Sequence, residues 1–547
     1  MRFVTSAVSL LSLTAAQFVP APTDLLTKVG YANVTIRYKE VPAGICELDP
    51  NVKSYSGYAD IAANQSIFFW FFETRNDDPS DAPLTVWING GPGSSSMIGL
   101  FQENGPCTVD ANYNPVNNPY SWSNVTNMLF IDQPAQTGHS YSIPVPGYLD
   151  DSGSIVELPN NTCPDIANGT CGTFSKPDTS LTANSTDAAA SGMWKTLQGF
   201  MGVFPQYDRK EFFFTTESYG GHYGPVFNEY IEKQNANLPE GAKEIALEAV
   251  LIGNGWYDPL LQYQAYYNYT VFPGATYDIE FFNKTIQDQM YDNLYGPTGC
   301  VPQLLNCSST GSNKICSDAD NFCYEQVENY YDIYAGRDEY DSRELVPDPF
   351  PPEYYVQYLN TPTVQEAIGA FVNFTEGSNT VGDAFGSTGD DARVLSIIQD
   401  MQDLINKGIY VVMYTGDADY NCNWLGGEAV AEEICAPGFD DAGYTDIKTS
   451  DGISHGQVKQ AANFAFLRIY ESGHEVPFYQ PLAALTMLWR VLNGKDVATG
   501  KTAISDSYIT VGTPKSTYRE GNATVQFGLV PTNATYNTTT NEPNPFR

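Results

Sequence analysis

The run Phe212-Phe213-Phe214 leads through Thr215-Thr216-Glu217 into Ser218-Tyr219-Gly220-Gly221-His222-Tyr223. Bulky aromatic residues in unbroken succession suit a strand covered on both faces. The paired glycines allow a tight turn, and the residues after them have the character of a helix start. The stretch therefore predicts a buried strand, a sharp turn with Ser218 at its apex, and a helix. Few folds present a serine in that way, so this stretch constrains the chain more than any other. The strict form of such a turn has Gly two residues before the serine; Thr216 stands there instead.

The rest of the chain supplies a frame for it. Ser54–Ile61 and Ser66–Thr74 read as an aromatic-rich hairpin. Leu84–Ile88, Asn127–Pro134, Leu247–Ile252, Ile409–Tyr414 and Phe464–Tyr470 read as short buried strands. Helical spacing runs from Asp187 to Phe204, from Val394 to Ile405, and from Pro481 to Leu492 with Gly494 beyond its end. Alternating strands and helices predict an α/β fold, a mostly parallel sheet with helices on both faces. In such sheets chemistry sits beyond the carboxyl ends of the strands. Every candidate motif here follows a strand. Residues 54–256 and 383–511 are read as this core. Residues 17–53 read as a loop-like lead-in, 144–183 as loop-rich, and 257–382, where the rhythm breaks, as an inserted cap. Residues 512–547, rich in Thr and Asn, are expected to form a mobile tail.

A serine hydroxyl needs a base, and the base needs an orienting carboxylate. The chain has four histidines. His222 lies inside the elbow helix, His139 in a polar turn, and His455 in a polar stretch without a strand. His474 follows a strand directly, in Gly473-His474-Glu475-Val476-Pro477, and is the base by elimination. Asp417 and Asp419 follow another strand, and spacing does not separate them; Asp417 has the alternative role of capping its loop. The order Ser218, Asp, His474 is that of the α/β-hydrolase fold. Backbone N–H groups near Gly90-Gly91 and at Tyr219 suit an oxyanion. The scattered histidines give no metal-ligand spacing, and no cofactor is expected.

With these residues in view the chain resembles the serine carboxypeptidases of fungal secreted or vacuolar type. The matching motifs are Trp87-Ile88-Asn89-Gly90-Gly91-Pro92-Gly93-Ser94-Ser95, Glu217–Tyr223, Ile252-Gly253-Asn254-Gly255, Gly416-Asp417-Ala418-Asp419 with Cys422-Asn423-Trp424, and Gly473–Pro477. Asn118–Trp122 and Asp132-Gln133-Pro134 also match, and the whole runs from about Ser54 to Leu492. The resemblance implies Ser218 as nucleophile, His474 as base, Asp419 as the acid, and Gly91 with Tyr219 as the oxyanion hole. It implies Asn89, Glu103, Glu217 and Trp87 as the binders of a substrate's C-terminal carboxylate. Crowded carboxyls bind a carboxylate only while they share protons, so activity favoured in acid is expected. Nested pairs Cys300–Cys323 and Cys307–Cys316 are implied by the family; Cys163–Cys171 is read from its short spacing. The pairing of Cys46, Cys107, Cys422 and Cys435 stays open, and Cys422 matches a free cysteine near the site in some relatives. Ser94 replaces a Cys often found in the Gly-Pro-Gly loop. Glu475 is expected to pair with a basic C-terminal residue, and Trp256, Tyr263 and Tyr266 to line the pocket for the residue before it.

The address is consistent with that resemblance. Residues 1–16 read as a signal peptide. Thirteen sequons, at Asn33, Asn64, Asn124, Asn160, Asn168, Asn184, Asn268, Asn283, Asn306, Asn373, Asn522, Asn533 and Asn537, predict a glycosylated secreted or vacuolar protein. A net charge of −37 argues against nucleic acid and anionic membranes as partners, and no apolar run predicts a membrane span. The expected partners are peptides and proteins with a free C-terminus. The alternatives are an esterase or acyltransferase on the same scaffold, or a non-catalytic secreted glycoprotein.

Overall fold

The computed structural model describes residues 18–529 except 168, 209–210, 272–275, 348–350 and 394–395, together with 536–537 and 542–543. The expected signal peptide, Asn168 and Asn533 lie outside the described residues, as does the side chain of Asn537. Among the described residues, twelve strands form one sheet. Its centre is six parallel strands in the order Asn127–Ile131, Leu84–Ile88, Phe212–Glu217, Leu247–Gly253, Tyr410–Gly416 and Phe464–Ile469. The alternation along Phe212–Phe214 explains why this centre is apolar throughout. Phe212 and Phe214 enter the core beneath the helices Thr186–Val203 and Gly220–Ala236. Phe213 enters the opposite core, with Met487 and Leu488 of the helix Pro481–Leu492. Two covered faces require an unbroken apolar run rather than an alternating one.

The expected parallel centre is flanked by antiparallel wings, so the whole is a large mixed sheet. One wing includes Leu26–Val29 and Thr35–Val41, inside the expected loop-like lead-in. Thr35–Val41 alternates buried and less buried positions, the signature of a strand covered on one face, which the nearby prolines obscured. The other wing includes Ser454–Ala461, so His455 stands on a strand and not in an irregular stretch. The 144–183 region carries a small sheet of Pro144–Leu149, Ile155–Glu157 and Cys171–Ser175. The helix expected from Val394 begins at Ile397.

The 257–382 region is helical. Cys300–Thr310 and Asn313–Cys323 form a hairpin carrying the disulfides Cys300–Cys323 and Cys307–Cys316. Cys163 pairs with Cys171 and Cys46 with Cys107, while Cys422, buried, and Cys435, exposed, are free. The stretch from 512 on, expected to be mobile, is instead bonded to the body as far as Gln526. One expected sequon is tied into the fold. Asn373 is 8% exposed, its Oδ1 accepts from Thr173 N at 2.8 Å, and its Nδ2 donates to Asn360 at 3.2 Å. A glycan on that nitrogen would have to displace the Asn360 contact. No helix among the described residues is long and apolar enough to cross a membrane.

Candidate active site

Strand ends bring the expected residues together. The strand Phe212–Glu217 ends at Ser218, whose φ of 61° lies in the left-handed region that non-glycine residues avoid. Such strain is held only when the surroundings fix it. Here Ser218 N donates to Gly253 O, and Ser218 O accepts from the N–H groups of Gly221 and Trp256. The unusual Thr216 is accommodated from the helix side. A Cβ on Gly220 would sit 2.0 Å from Thr216 Oγ1, so glycine at 220 makes the space that threonine occupies.

His474 lies beyond the strand Phe464–Ile469, and Asp419 beyond Tyr410–Gly416. His474 Nδ1 and Asp419 Oδ2 are 2.8 Å apart, and Asp419 is fully buried. The same Oδ2 accepts from Asn254 Nδ2 at 2.7 Å and from Cys422 N at 3.1 Å. Asp417, the rival acid, faces elsewhere: it accepts from Tyr277 and from Glu471 N, and pairs with Arg468. Burial works to lower the His474 pKa, but the charge and hydrogen bond of Asp419, with Glu217 and Glu339, carry it up to about 9. The other histidines are occupied elsewhere. His222 stacks on Tyr219, its Nδ1 2.7 Å from Trp256 O; His139 lies between Phe68 and Phe374; and His455 meets Asp451 and Gln480.

Ser218 and His474 line one cleft of about 940 Å³, with Gly90, Gly91 and Tyr219 beside the serine. A Cβ on Gly90 would come within 2.3 Å of Tyr219 N, so only glycine lets this loop close on the elbow.

Asn89 stands between two glutamates. Its Nδ2 donates to Glu217 Oε1 at 2.7 Å and reaches Glu103 Oε1 at 3.4 Å. Its Oδ1 accepts from Trp87 Nε1 at 2.7 Å and from Gly99 N at 3.0 Å, which fixes the amide's orientation. Glu103 and Glu217 are almost fully buried, each is a neighbour that shifts the other, and the Oε2 of each has no hydrogen-bond partner among the described residues. Burial, then the charges of Glu217 and Glu475, push Glu103 well above the usual carboxyl range; burial raises Glu217 to about 7.

A second set lines the same cleft. Asn421 Nδ2 donates to Glu328 Oε1 at 3.2 Å and to Glu339 Oε2 at 3.1 Å. Both glutamates open partly into the cleft, where Trp256, Tyr266 and Tyr324 also lie. Burial, then Asp332, raises Glu339 to about 7; burial, then Glu339, pushes Glu328 well above the usual carboxyl range. Glu475 lines the cleft near Glu353 and Glu376. Tyr263, expected on the pocket wall, is not there: it is 1% exposed and packs edge-on behind Trp256 at 5.2 Å.

Sequence reasoning missed Asn254 as the second partner of Asp419, although its place just past a buried strand was a usable signal. It also missed Tyr340, whose carbonyl accepts from His474 N at 2.8 Å and whose ring meets the imidazole edge-on. Glu328, Glu339 and Asn421 were missed as a group. No local pattern marks them, because the first two come from the irregular insertion.

Comparison with known proteins gives a consistent answer. The family model described as "Serine carboxypeptidase" matches residues 44–494. The chain is 39% identical to "Carboxypeptidase S1 homolog A" of Arthroderma otae, over 93% of this chain and 84% of that one. It is 38% identical to "Carboxypeptidase S1" of Penicillium janthinellum, over 83% of this chain and 99% of that one. Among solved structures it resembles Kex1(Δ)p, a prohormone-processing carboxypeptidase from Saccharomyces cerevisiae, with a TM-score of 0.65 at 23% identity, covering 84% of this chain and 97% of that one. At that identity the structural likeness speaks for the fold alone.

Proposed function

Because the chain belongs to the serine carboxypeptidase family, and so is a serine-type hydrolase that removes residues from the C-terminus of peptides, we propose that Ser218, His474 and Asp419 carry the reaction and that the Asn89–Glu103–Glu217 set reads the substrate's free carboxylate. His474 takes the Ser218 proton as the hydroxyl oxygen attacks the last peptide carbonyl. Asp419 holds Nδ1–H so that Nε2 faces the serine and balances the imidazolium that forms. The N–H groups of Gly91 and Tyr219 receive the oxyanion. His474 then protonates the departing amino acid, and water releases the acyl group by the same route.

The observation that carries the reading is the buried glutamate pair bridged by one asparagine. With Trp87 fixing the Asn89 amide, one donor and two protonatable acids converge where a terminal carboxylate arrives. A general esterase has no use for that arrangement. The raised carboxyl pKa values support activity favoured in acid. There Glu103 and Glu217 donate hydrogen bonds; as pH passes about 7, Glu217 gains a charge that repels the substrate. Neutral Glu217 and Glu339 also stop raising the His474 pKa, which releases the base. Secretion and glycosylation at the exposed sequons belong to the same reading, supported by the eight paired cysteines. The acidic cleft walls favour basic side chains: Glu475 for the C-terminal residue, and Glu328 with Glu339 for the one before it.

The test combines labelling with substrate choice. A fluorophosphonate is expected to label wild type and not Ser218→Ala. A peptide acid is expected to be cleaved far faster than its C-terminal amide. Equal rates on acid and amide would leave the esterase reading, and absence of labelling would leave the non-catalytic one. For Glu475, the Arg-to-Leu release ratio is expected to fall in Glu475→Met, and an unchanged ratio would remove it from specificity.

A further inference from the structure

The stretch 338–343, in the insertion, touches both loops that carry the base and its acid. Tyr340 O accepts from His474 N at 2.8 Å. Glu339 O accepts from Tyr420 N and Asn421 N at 2.9 and 3.0 Å, just after Asp419. Ser342 N donates to Ala418 O at 2.8 Å, just before it. One short segment therefore spans the His474–Asp419 pair with four backbone hydrogen bonds.

That segment is itself gripped by a buried arginine. Arg337 is 8% exposed, and its guanidinium is directed at backbone carbonyls. Nη1 donates to Arg343 O at 2.9 Å and Ser342 O at 3.4 Å, and Nη2 donates to Gln526 O at 2.9 Å. The fixed fork of a guanidinium suits several carbonyls at once in a way that a lysine ammonium does not. Gln526 completes the grip: its N–H donates to Arg343 O at 2.9 Å, and its Oε1 accepts from Leu345 N at 3.3 Å. The C-terminal segment also contacts the strand that leads to His474. Ser516 Oγ and Tyr518 O accept from Arg468 at 2.8 and 3.0 Å, and Tyr518 stacks on Tyr470 at 3.7 Å. Arg468 and Tyr470 belong to the strand and turn that lead to His474.

We propose that Arg337 is a positioning residue for catalysis: with the C-terminal segment 516–526 it holds the stretch 338–343 that seats His474 against Asp419. The proposal rests on the reading of His474 and Asp419 as base and acid. It gives the insertion and the chain's end a part in the chemistry besides any part in substrate choice. A small displacement of the base costs rate, while substrate binding at Asn89 and Glu217 is untouched.

The experiment uses full-length Arg337→Met, Arg337→Lys and Gln526→Pro, the last deleting the N–H that Arg343 O accepts. Peptide hydrolysis is measured per fluorophosphonate-titrated site, and the low-field proton signal of the His474 Nδ1–H is followed by NMR. Expected is a fall in kcat of about tenfold or more for Arg337→Met with KM within about twofold. The smaller loss is expected for Arg337→Lys, and a broadened or shifted His474 signal in each variant. Normal kcat per titrated site with an unmoved signal, at whatever thermal stability, would overturn the proposal. If Arg337→Met does not fold, Gln526→Pro decides by the same two readings. Wild type that is neither labelled at Ser218 nor active on the peptide acid would instead bring down the underlying reading.

Discussion

Two asparagines that line the Ser218 cleft make the same kind of contact. Asn89 and Asn421 each place one side-chain amide nitrogen between two glutamates. Yet the environments differ. Glu103 and Glu217 are 1% and 3% exposed, whereas Glu328 and Glu339 open partly into the cleft. Full burial makes a second negative charge very costly, so the first pair holds a proton and becomes a hydrogen-bond donor. The second pair is raised as well, Glu339 to about 7, but its opening into the cleft leaves it within reach of a cationic side chain. We propose that the same arrangement reads an anion at the closed pair and a cation at the pair open to the cleft.

The comparison breaks first at Asn89. Asn89→Ala removes the bridge and the acceptor used by Trp87 Nε1 and Gly99 N. A loss of about 10- to 100-fold in kcat/KM is expected on peptide acids, from hydrogen bonds to charged groups, with little change on amides. At the other pair, Glu339→Gln is expected to lower kcat/KM about fivefold for a penultimate Arg and to leave Leu unchanged, since the group is only part-buried. Comparing the two substrates on one enzyme preparation checks it.

Both pairs also bear on stability. Their carboxyls titrate above the ordinary value of 4.5 in the folded chain, with Glu217 and Glu339 near 7. The fold therefore binds these protons more tightly than the unfolded chain does. That stabilisation is complete below about pH 4.5 and is lost as pH rises through 7. Tm measured by calorimetry is expected to fall by several degrees, about 4–8 °C, between pH 5 and pH 8. The smallest effect sought is on the base. Because Glu217 raises His474 only while it is charged, Glu217→Gln is expected to leave kcat/KM on an amide or ester substrate unchanged below about pH 7 and to lower the apparent pKa of the base only above it.

How much of this was legible in the sequence divides along the same line. The Asn89 set lies at the ends of central strands or in the loop after one, where continuous apolar runs mark the strand and the residues beyond it must face the cleft. Ser218 and His474 were readable for that reason, and Asn254 should have been. Choosing Asp419 over Asp417 needed either the family resemblance or the structure, because both come after the same strand and only the fold shows which meets His474. The Asn421 set was not readable. Glu328 and Glu339 come from a helical insertion whose register on the core is set by tertiary contacts, and Asn421 acquires its meaning only from them. The edge strands were lost for a simpler reason: Leu26–Val29 is exposed along its length, so it carries no apolar pattern to read.

The central claim is that Glu103 and Glu217 recognise a terminal carboxylate by sharing a proton. The direct measurement is KM for one peptide as its free acid and as its C-terminal amide, from about pH 4 to pH 8. KM for the acid is expected to rise as pH passes about 7 while KM for the amide stays flat. Two curves that run parallel through that range would contradict the account.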